Sequence, residues 1–221
     1  PVGLILFNMK SALIAGATGL VGKQCLYKLL ENPNYDHVYA LVRKPLEITH
    51  EKLKQIAFDY EDFTKLEILW KVDDVFCCLG TTMKTAGTKE AFYKVDYTFI
   101  VKLGEYFSNR EAVNFLLISA IGADANSPIF YSKVKGETEE AVSKLNYKGI
   151  FIFQPSFLVG DREQFRLGEM IGLSIAQLVS PLLFGNMKKY KPIHAAKVAD
   201  SMISRALSGK EGKFILQSDE I

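Results

Sequence analysis

Residues 15–22 read AGATGLVG, directly after the apolar run Ala12-Leu13-Ile14. Three glycines, Gly16, Gly19 and Gly22, fall three residues apart between a strand-like segment and a helical pattern that begins near residue 19. Such a cluster suits a dinucleotide pyrophosphate. Glycine permits a tight turn and close backbone approach, and the helix N-terminus that follows offers N–H groups and a positive dipole end. The first interval is one residue wider than in GxGxxG. A turn made only for tight strand–helix packing therefore stands as a second reading of these residues.

The same alternation continues outward from this turn. SALIAG is followed by a helix over 19–31, HVYALV by a weakly patterned stretch containing LKQIAFDY, and DDVFCCLG by a helix over 88–108. AVNFLLIS then leads to a helix near 128–146, GIFIFQ to a region over 162–184, and a helix near 194–208 to GKFILQ. Short apolar strands alternating with helices predict a parallel sheet covered on both faces. The expected fold is α/β, a Rossmann-type doubly wound sheet in one domain over 10–221. Residues 156–192 form a small substrate or lid segment, and residues 1–9 are a tail of uncertain origin ahead of a possible start at Met9.

Composition narrows the function. Apolar residues make up 48% of the 221, and 27 basic against 25 acidic residues leave a formal charge of +2. The basic residues are interspersed with acids rather than gathered on one face, which argues against a nucleic-acid partner. Cys25, Cys77 and Cys78 have no metal-ligand spacing and read as reduced thiols, pointing to the cytoplasm. IGLSIAQLVSPLLF (171–184) falls short of the roughly 18–20 apolar residues of a membrane span and carries Gly172, Ser174, Gln177 and Pro181. The apolar 168–184 region reads equally as a lid, a dimer surface or a peripheral lipid contact.

Two further features bear on a dinucleotide. Arg43-Lys44 ends HVYALVR, about twenty residues beyond the glycines, where an NAD-binding chain carries an acid for the ribose. A cation there suits a 2′-phosphate, although a solvated strand end would read the same way. FCCLGTT (76–82) ends a buried run in Gly80 and two hydroxyls, where the next strand should reach the cofactor.

The chemistry centres on Ser119, Tyr131 and Lys135. Ser119 closes a strand, and strand carboxyl ends are where open α/β sheets bind ligands. Tyr131 and Lys135 stand four apart, on one helix face. A phenol is a weak acid near neutrality, and an adjacent ammonium favours its ionised form. Arg162, Arg166, Lys188 and Lys189 are weaker candidates for receiving an anionic substrate, and His194 reads as a capping or packing residue.

With these residues in view, the chain resembles an atypical, NmrA-like short-chain dehydrogenase/reductase that binds NAD(P). More narrowly, CCLGTTMKTAGTKEAFYKVDYTF, LLISAIGADANSPIFYSKVKGETE and IFQPSFLVGDREQFRLGE are similar to the Tat-interacting-protein group and its bacterial relatives. That resemblance implies a cofactor cradled by Gly16, Thr18, Gly19, Leu20 and Val21. It places Arg43 and Lys44 at the adenosine phosphate, Leu79-Gly80 by the ribose, and Pro155, Ser156, Phe157 and Leu158 by the nicotinamide. It implies Tyr131 as acid/base, Lys135 on the nicotinamide ribose and Ser119 near the substrate.

The chain departs from the group at Ser119-Ala120, where many relatives have paired serines, and at Gln154, where they have Arg. Asp96 occupies the stretch nearest to the usual helix-four Asn. The function expected is NADP(H)-linked hydride transfer to or from a carbonyl or alcohol, with NAD(H) as the weaker cofactor. The alternative is a dinucleotide-sensing regulator acting on a protein partner, and a homodimer is possible in either case.

Overall fold

A computed structural model describes residues 9–66, 71–160 and 185–221. Its main sheet has seven strands in the order β3-β2-β1-β4-β5-β6-β9. They are β1 (Lys10–Ala15), β2 (Tyr35–Val42), β3 (Leu53–Ala57), β4 (Asp74–Cys77), β5 (Asn114–Ile118), β6 (Gly149–Gln154) and β9 (Gly212–Gln217). Every pairing is parallel. The order reverses between β1 and β4, which opens a crevice at their carboxyl ends, the place where doubly wound sheets bind ligands.

Strand alternation builds two cores. On β1, Ala12 and Ile14 point into one apolar layer while Leu13 and Ala15 point into the other. Phe151 and Phe153 of β6 follow the first set, and Ile150 and Ile152 the second. The first layer is closed by α1 (Leu20–Glu31) and α6 (Ala195–Leu207), which pack on each other through Cys25, Leu29, Val198 and Met202. Ile100, Leu103 and Phe107 of α4 (Phe99–Ser108) close the second. Helix α5 (Phe130–Val142) follows β5 and adds Val142 to that layer.

The structure refines three expectations. LKQIAFDY contains β3, an edge strand with no fully buried residue, so its sequence lacks the continuous apolar run of the inner strands. The helix expected over 88–108 is α3 (Lys89–Tyr93), a π-helical turn over Lys94–Thr98 and then α4, with a short α2 (Met83–Ala86) before them. Two short strands, β7 (Leu158–Val159) and β8 (Ile193–His194), form a separate parallel ladder, β7 within the expected substrate segment over 156–192 and β8 just past its end. Residues 161–184 of that segment, with Arg162 and Arg166, lie outside the described residues, as do residues 1–8 of the tail.

Candidate active site

The turn after β1 is shaped by contacts at its glycines. Gly16 has φ +85°, a conformation that favours glycine, and a Cβ there would stand 2.4 Å from the Cys78 carbonyl oxygen. A Cβ on Gly22 would stand 2.1 Å from the Gly16 oxygen. Both positions are glycine because the fold leaves no room. Gly19 is different: its Cβ would meet only the Gly16 oxygen at 3.3 Å and the Cys78 oxygen at 3.9 Å. Gly19 caps α1 in an extended conformation without a side-chain cap, and the first turn of the helix carries no acid. That leaves a helix N-terminus suited to an anion. Thr18 is exposed, Leu20 is half-buried and Val21 is buried.

Arg43 and Lys44 follow β2 directly and are exposed. The Tyr60 phenol is pushed well up by burial, with Cys77 adding to that, and the Arg43 guanidinium opposes the shift. Arg43 thus stands over the β2 end, beside the strand that carries the glycine turn.

Beyond β4, Leu79 is half-buried and Gly80 exposed. Below Gly80 lies a buried ion pair, Lys135 Nζ to Asp96 Oδ1 at 2.7 Å, the side chains 7% and 0% exposed. A Cβ on Gly80 would come within 3.5 Å of Asp96 Oδ1 and 3.8 Å of Lys135 Nζ. The second Asp96 oxygen accepts the Thr81 N–H at 2.7 Å, and the Asp96 carbonyl accepts the Thr138 hydroxyl at 2.8 Å. The π-helical turn sets Asp96 in this position, facing inward. Burial disfavours charge on Lys135, but Asp96, and then Tyr131, outweigh it and hold the ammonium above its usual range. Tyr131 is 38% exposed, with its ring 5.8 Å from that of Phe92.

Ser119 is brought to the same edge by β5 but is 6% exposed, and its hydroxyl donates to Glu139 Oε1. Gln154 donates to both oxygens of Glu139, at 3.1 and 2.9 Å, and accepts from Gln217 at 3.3 Å. Pro155 is buried and Phe157 is 48% exposed. The Ser156 hydroxyl donates to the Lys191 carbonyl, and the Phe157 carbonyl accepts the Ile193 N–H at 2.9 Å. Leu158 begins β7, which runs toward Gly160, where a Cβ would stand 2.9 Å from Leu20 Cδ1. Residues 155–160 therefore pass beside the start of α1. His194 heads α6 without a side-chain cap, and Lys189 lies 5.5 Å from the Tyr190 ring centroid.

Two buried acids, Asp96 and Glu139, pair with the candidate residues and escape a reading of isolated motifs as partners, yet each leaves a signal. Asp96 stands four residues after Phe92 and four before Ile100, an acid on the apolar stripe of its helix. Glu139 continues the row Tyr131, Lys135 at the same spacing. A cavity of about 360 Å³ opens at the opposite edge of the sheet, lined by Lys10, Asn114, Lys148 and Lys210 among others. It lies by the amino ends of the strands, away from the glycine turn.

This combination defines a single-domain Rossmann-type protein with a dinucleotide crevice. The chain belongs to the NAD(P)H-binding family, whose model matches residues 16–147. It is 31% identical to protein FMP52, mitochondrial, of Eremothecium gossypii over 96% of this chain and 95% of that one. It is 34% identical to protein HTATIP2 of Rattus norvegicus over 73% of this chain and 68% of that one. Among solved structures, the Helicobacter pylori ADP-L-glycero-D-manno-heptose-6-epimerase superposes with a TM-score of 0.70 at 18% identity, covering 96% of this chain and 77% of its own. MoeE5 in complex with UDP-glucuronic acid and NAD gives 0.69 at 15% identity, with 93% and 75% covered.

These relatives correct one expectation. The reduced thiols suggested the cytoplasm, but relatives at 30–31% identity from three fungi are named as mitochondrial proteins. Unpaired cysteines distinguish reducing from oxidising surroundings, and the cytoplasm is not the sole reducing compartment. Among the described residues no helix is long and apolar enough to cross a membrane.

Proposed function

We propose that the chain is an NADP(H)-dependent oxidoreductase that interconverts a carbonyl and an alcohol. The observation that carries this reading is the Lys135 ammonium, buried yet held charged by Asp96, next to Tyr131 and directly under Gly80. A buried lysine is costly to keep charged, and here it stands at the crevice a dinucleotide would use.

The residues present fit such a cofactor. Gly16, Thr18, Gly19, Leu20 and Val21 would hold the pyrophosphate, with Gly19 offering backbone approach and α1 its N-terminus. Leu79 and Gly80 would flank the ribose, and Pro155 to Leu158 the nicotinamide. When bound, the dinucleotide supplies or accepts the hydride. Tyr131 gives its proton to the carbonyl oxygen in reduction and takes one from the alcohol in oxidation. The Lys135 charge stabilises the negative charge that develops on the phenol, and its ammonium holds the ribose. Ser119 orients the substrate oxygen. The segment over 156–192 would contribute the substrate side, and the β7–β8 ladder pairs Leu158–Val159 with Ile193–His194 beside the crevice. The names of the FMP52 relatives support a mitochondrial location.

Preference for NADP(H) rests on Arg43, with Lys44 beside it. A guanidinium grips a 2′-phosphate through charge-assisted, often paired hydrogen bonds and finds far less in a neutral hydroxyl. Such bonds contribute about 1.5–3 kcal/mol, roughly one to two powers of ten in affinity. Titration of the purified protein should give tighter binding of NADPH than of NADH. Arg43→Ala with Lys44→Ala should remove that preference by weakening NADPH, and higher salt should mimic the effect. Equal affinities in the unmutated protein would refute the preference.

A further inference from the structure

Glu139 is the buried acid that the mechanism above leaves without a task. It lies on α5 one turn beyond Lys135, 7% exposed, and accepts hydrogen bonds from Ser119 and Gln154. Ser119 comes from the end of β5 and Gln154 from the end of β6, the latter backed by Gln217 of β9. Two neutral side chains from the sheet thus hold the carboxyl group against the crevice. Lys135, itself committed to Asp96, is the charged group among the described residues that acts on it. The arrangement is consequential because the Ser119 hydroxyl has one proton. While that proton points at Glu139, Ser119 presents lone pairs to a ligand and nothing else.

We propose that Glu139 is a positioning residue whose protonation state sets whether Ser119 offers a proton or a lone pair to the substrate oxygen. The inference rests on the oxidoreductase reading above. With Glu139 ionised, Ser119 donates to it and accepts the O–H of an alcohol, which suits oxidation. With Glu139 protonated, its carboxyl O–H donates to Ser119 Oγ while Gln154 still donates to Oε2. Ser119 then turns its own proton to a carbonyl oxygen, which suits reduction. No bond to carbon changes in this step. One proton sits either on Glu139 or in solvent, and the proton transferred to substrate still comes from Tyr131.

The surroundings place this switch above the usual carboxylate range. Burial raises the Glu139 value, and Ser119, Gln154 and Lys135 together do not cancel that rise. Gln154 matters here because an amide stabilises the carboxylate less than a cation would.

The test has two arms. In the first, carbon-13 NMR of protein labelled at the glutamate carboxyl, with Glu139→Gln to assign the resonance, follows the titration with no substrate present. The Glu139 signal should titrate above 4.5. Ser119→Ala should raise the value further by removing a donor, and Gln154→Arg should lower it. In the second, NADPH-linked carbonyl reduction in wild type should fall roughly tenfold per pH unit above the Glu139 value. Glu139→Gln, whose amide donates to Ser119 at every pH, should lose that limb and be impaired in alcohol oxidation, and Gln154→Arg should shift the limb to lower pH.

A Glu139 signal in the ordinary range and indifferent to Ser119→Ala overturns the proposal. So does a reduction limb that neither Glu139→Gln nor Gln154→Arg moves. These failures are distinguishable from failure of the oxidoreductase reading. That reading fails if no carbonyl compound is turned over by wild type or any variant, and the switch falls with it even where the NMR coupling persists.

Discussion

Asp96→Asn is the perturbation that separates a functional ion pair from an incidental surface contact. Asp96 is fully buried and Lys135 nearly so, with 2.7 Å between them. Breaking a buried pair by removing one charge costs about 3–5 kcal/mol, because the remaining ion is left desolvated. Asparagine keeps the shape and an oxygen for the Thr81 N–H, so the expected loss is near the lower figure, about 3 kcal/mol. For a domain of this size that corresponds to a fall of roughly 6–12 °C in Tm. Urea unfolding gives the free energy, and pH checks the cause. In wild type the Lys135 pKa is raised above 10.5, so its stabilising contribution is complete below that value and declines only as pH rises through the folded-state value. In the variant, burial acts without Asp96 and the folded pKa falls below 10.5. Variant stability should therefore rise with pH toward about 10, a rise that wild type should not show. Asp96→Leu combined with Lys135→Met should destabilise less than the sum of the single changes. A loss below about 1 kcal/mol, or a deficit independent of pH, would refute the reasoning.

Four further outcomes follow from the same structure. Gly19→Val should lose less stability than a change at Gly22, since a Cβ there would stand 3.3 Å from the Gly16 oxygen and 3.9 Å from the Cys78 oxygen, yet bind NADPH on the order of a hundredfold more weakly. Gly22→Ala should instead destabilise the fold itself, as circular dichroism melts would show, because its Cβ would stand 2.1 Å from backbone. Glu139→Gln should flatten the pH dependence of stability. A folded-state pKa raised above 4.5 means the contribution of Glu139 is greatest below that value and is lost as pH rises through the folded value, a decline the amide cannot show. Cys77, with its thiol pushed up to about 12 by burial, should resist alkylation at pH 8 in the native protein and react at once in urea, as mass spectrometry would record.

The doubly wound sheet was readable from local pattern because its central strands are buried on both faces and therefore nearly all apolar, as in SALIAG and GIFIFQ. β3 escaped the same reading. At the sheet edge Lys54 and Gln55 are tolerated, and Gln55 serves the loop by bonding Leu46. The glycine turn was legible as a cluster, but which glycine answers to the fold and which to a ligand depends on distances to Cys78 and Gly16 that no spacing encodes. Ser119, Tyr131 and Lys135 were legible as types at strand and helix positions. That Ser119 spends its proton on Glu139, and that Asp96 compensates Lys135, depends on a π-helical turn and on side chains 20 and 39 residues away in sequence.

The central claim is that this crevice performs carbonyl chemistry through Tyr131. Its most direct test is NADPH oxidation, followed by absorbance across a panel of aldehydes and ketones, with wild type and Tyr131→Phe compared after both are shown to bind NADPH equally. The expected result is turnover of at least one carbonyl compound by wild type and its loss in Tyr131→Phe at unchanged cofactor affinity. Equal turnover by the two proteins, or none by wild type with cofactor bound, would contradict it.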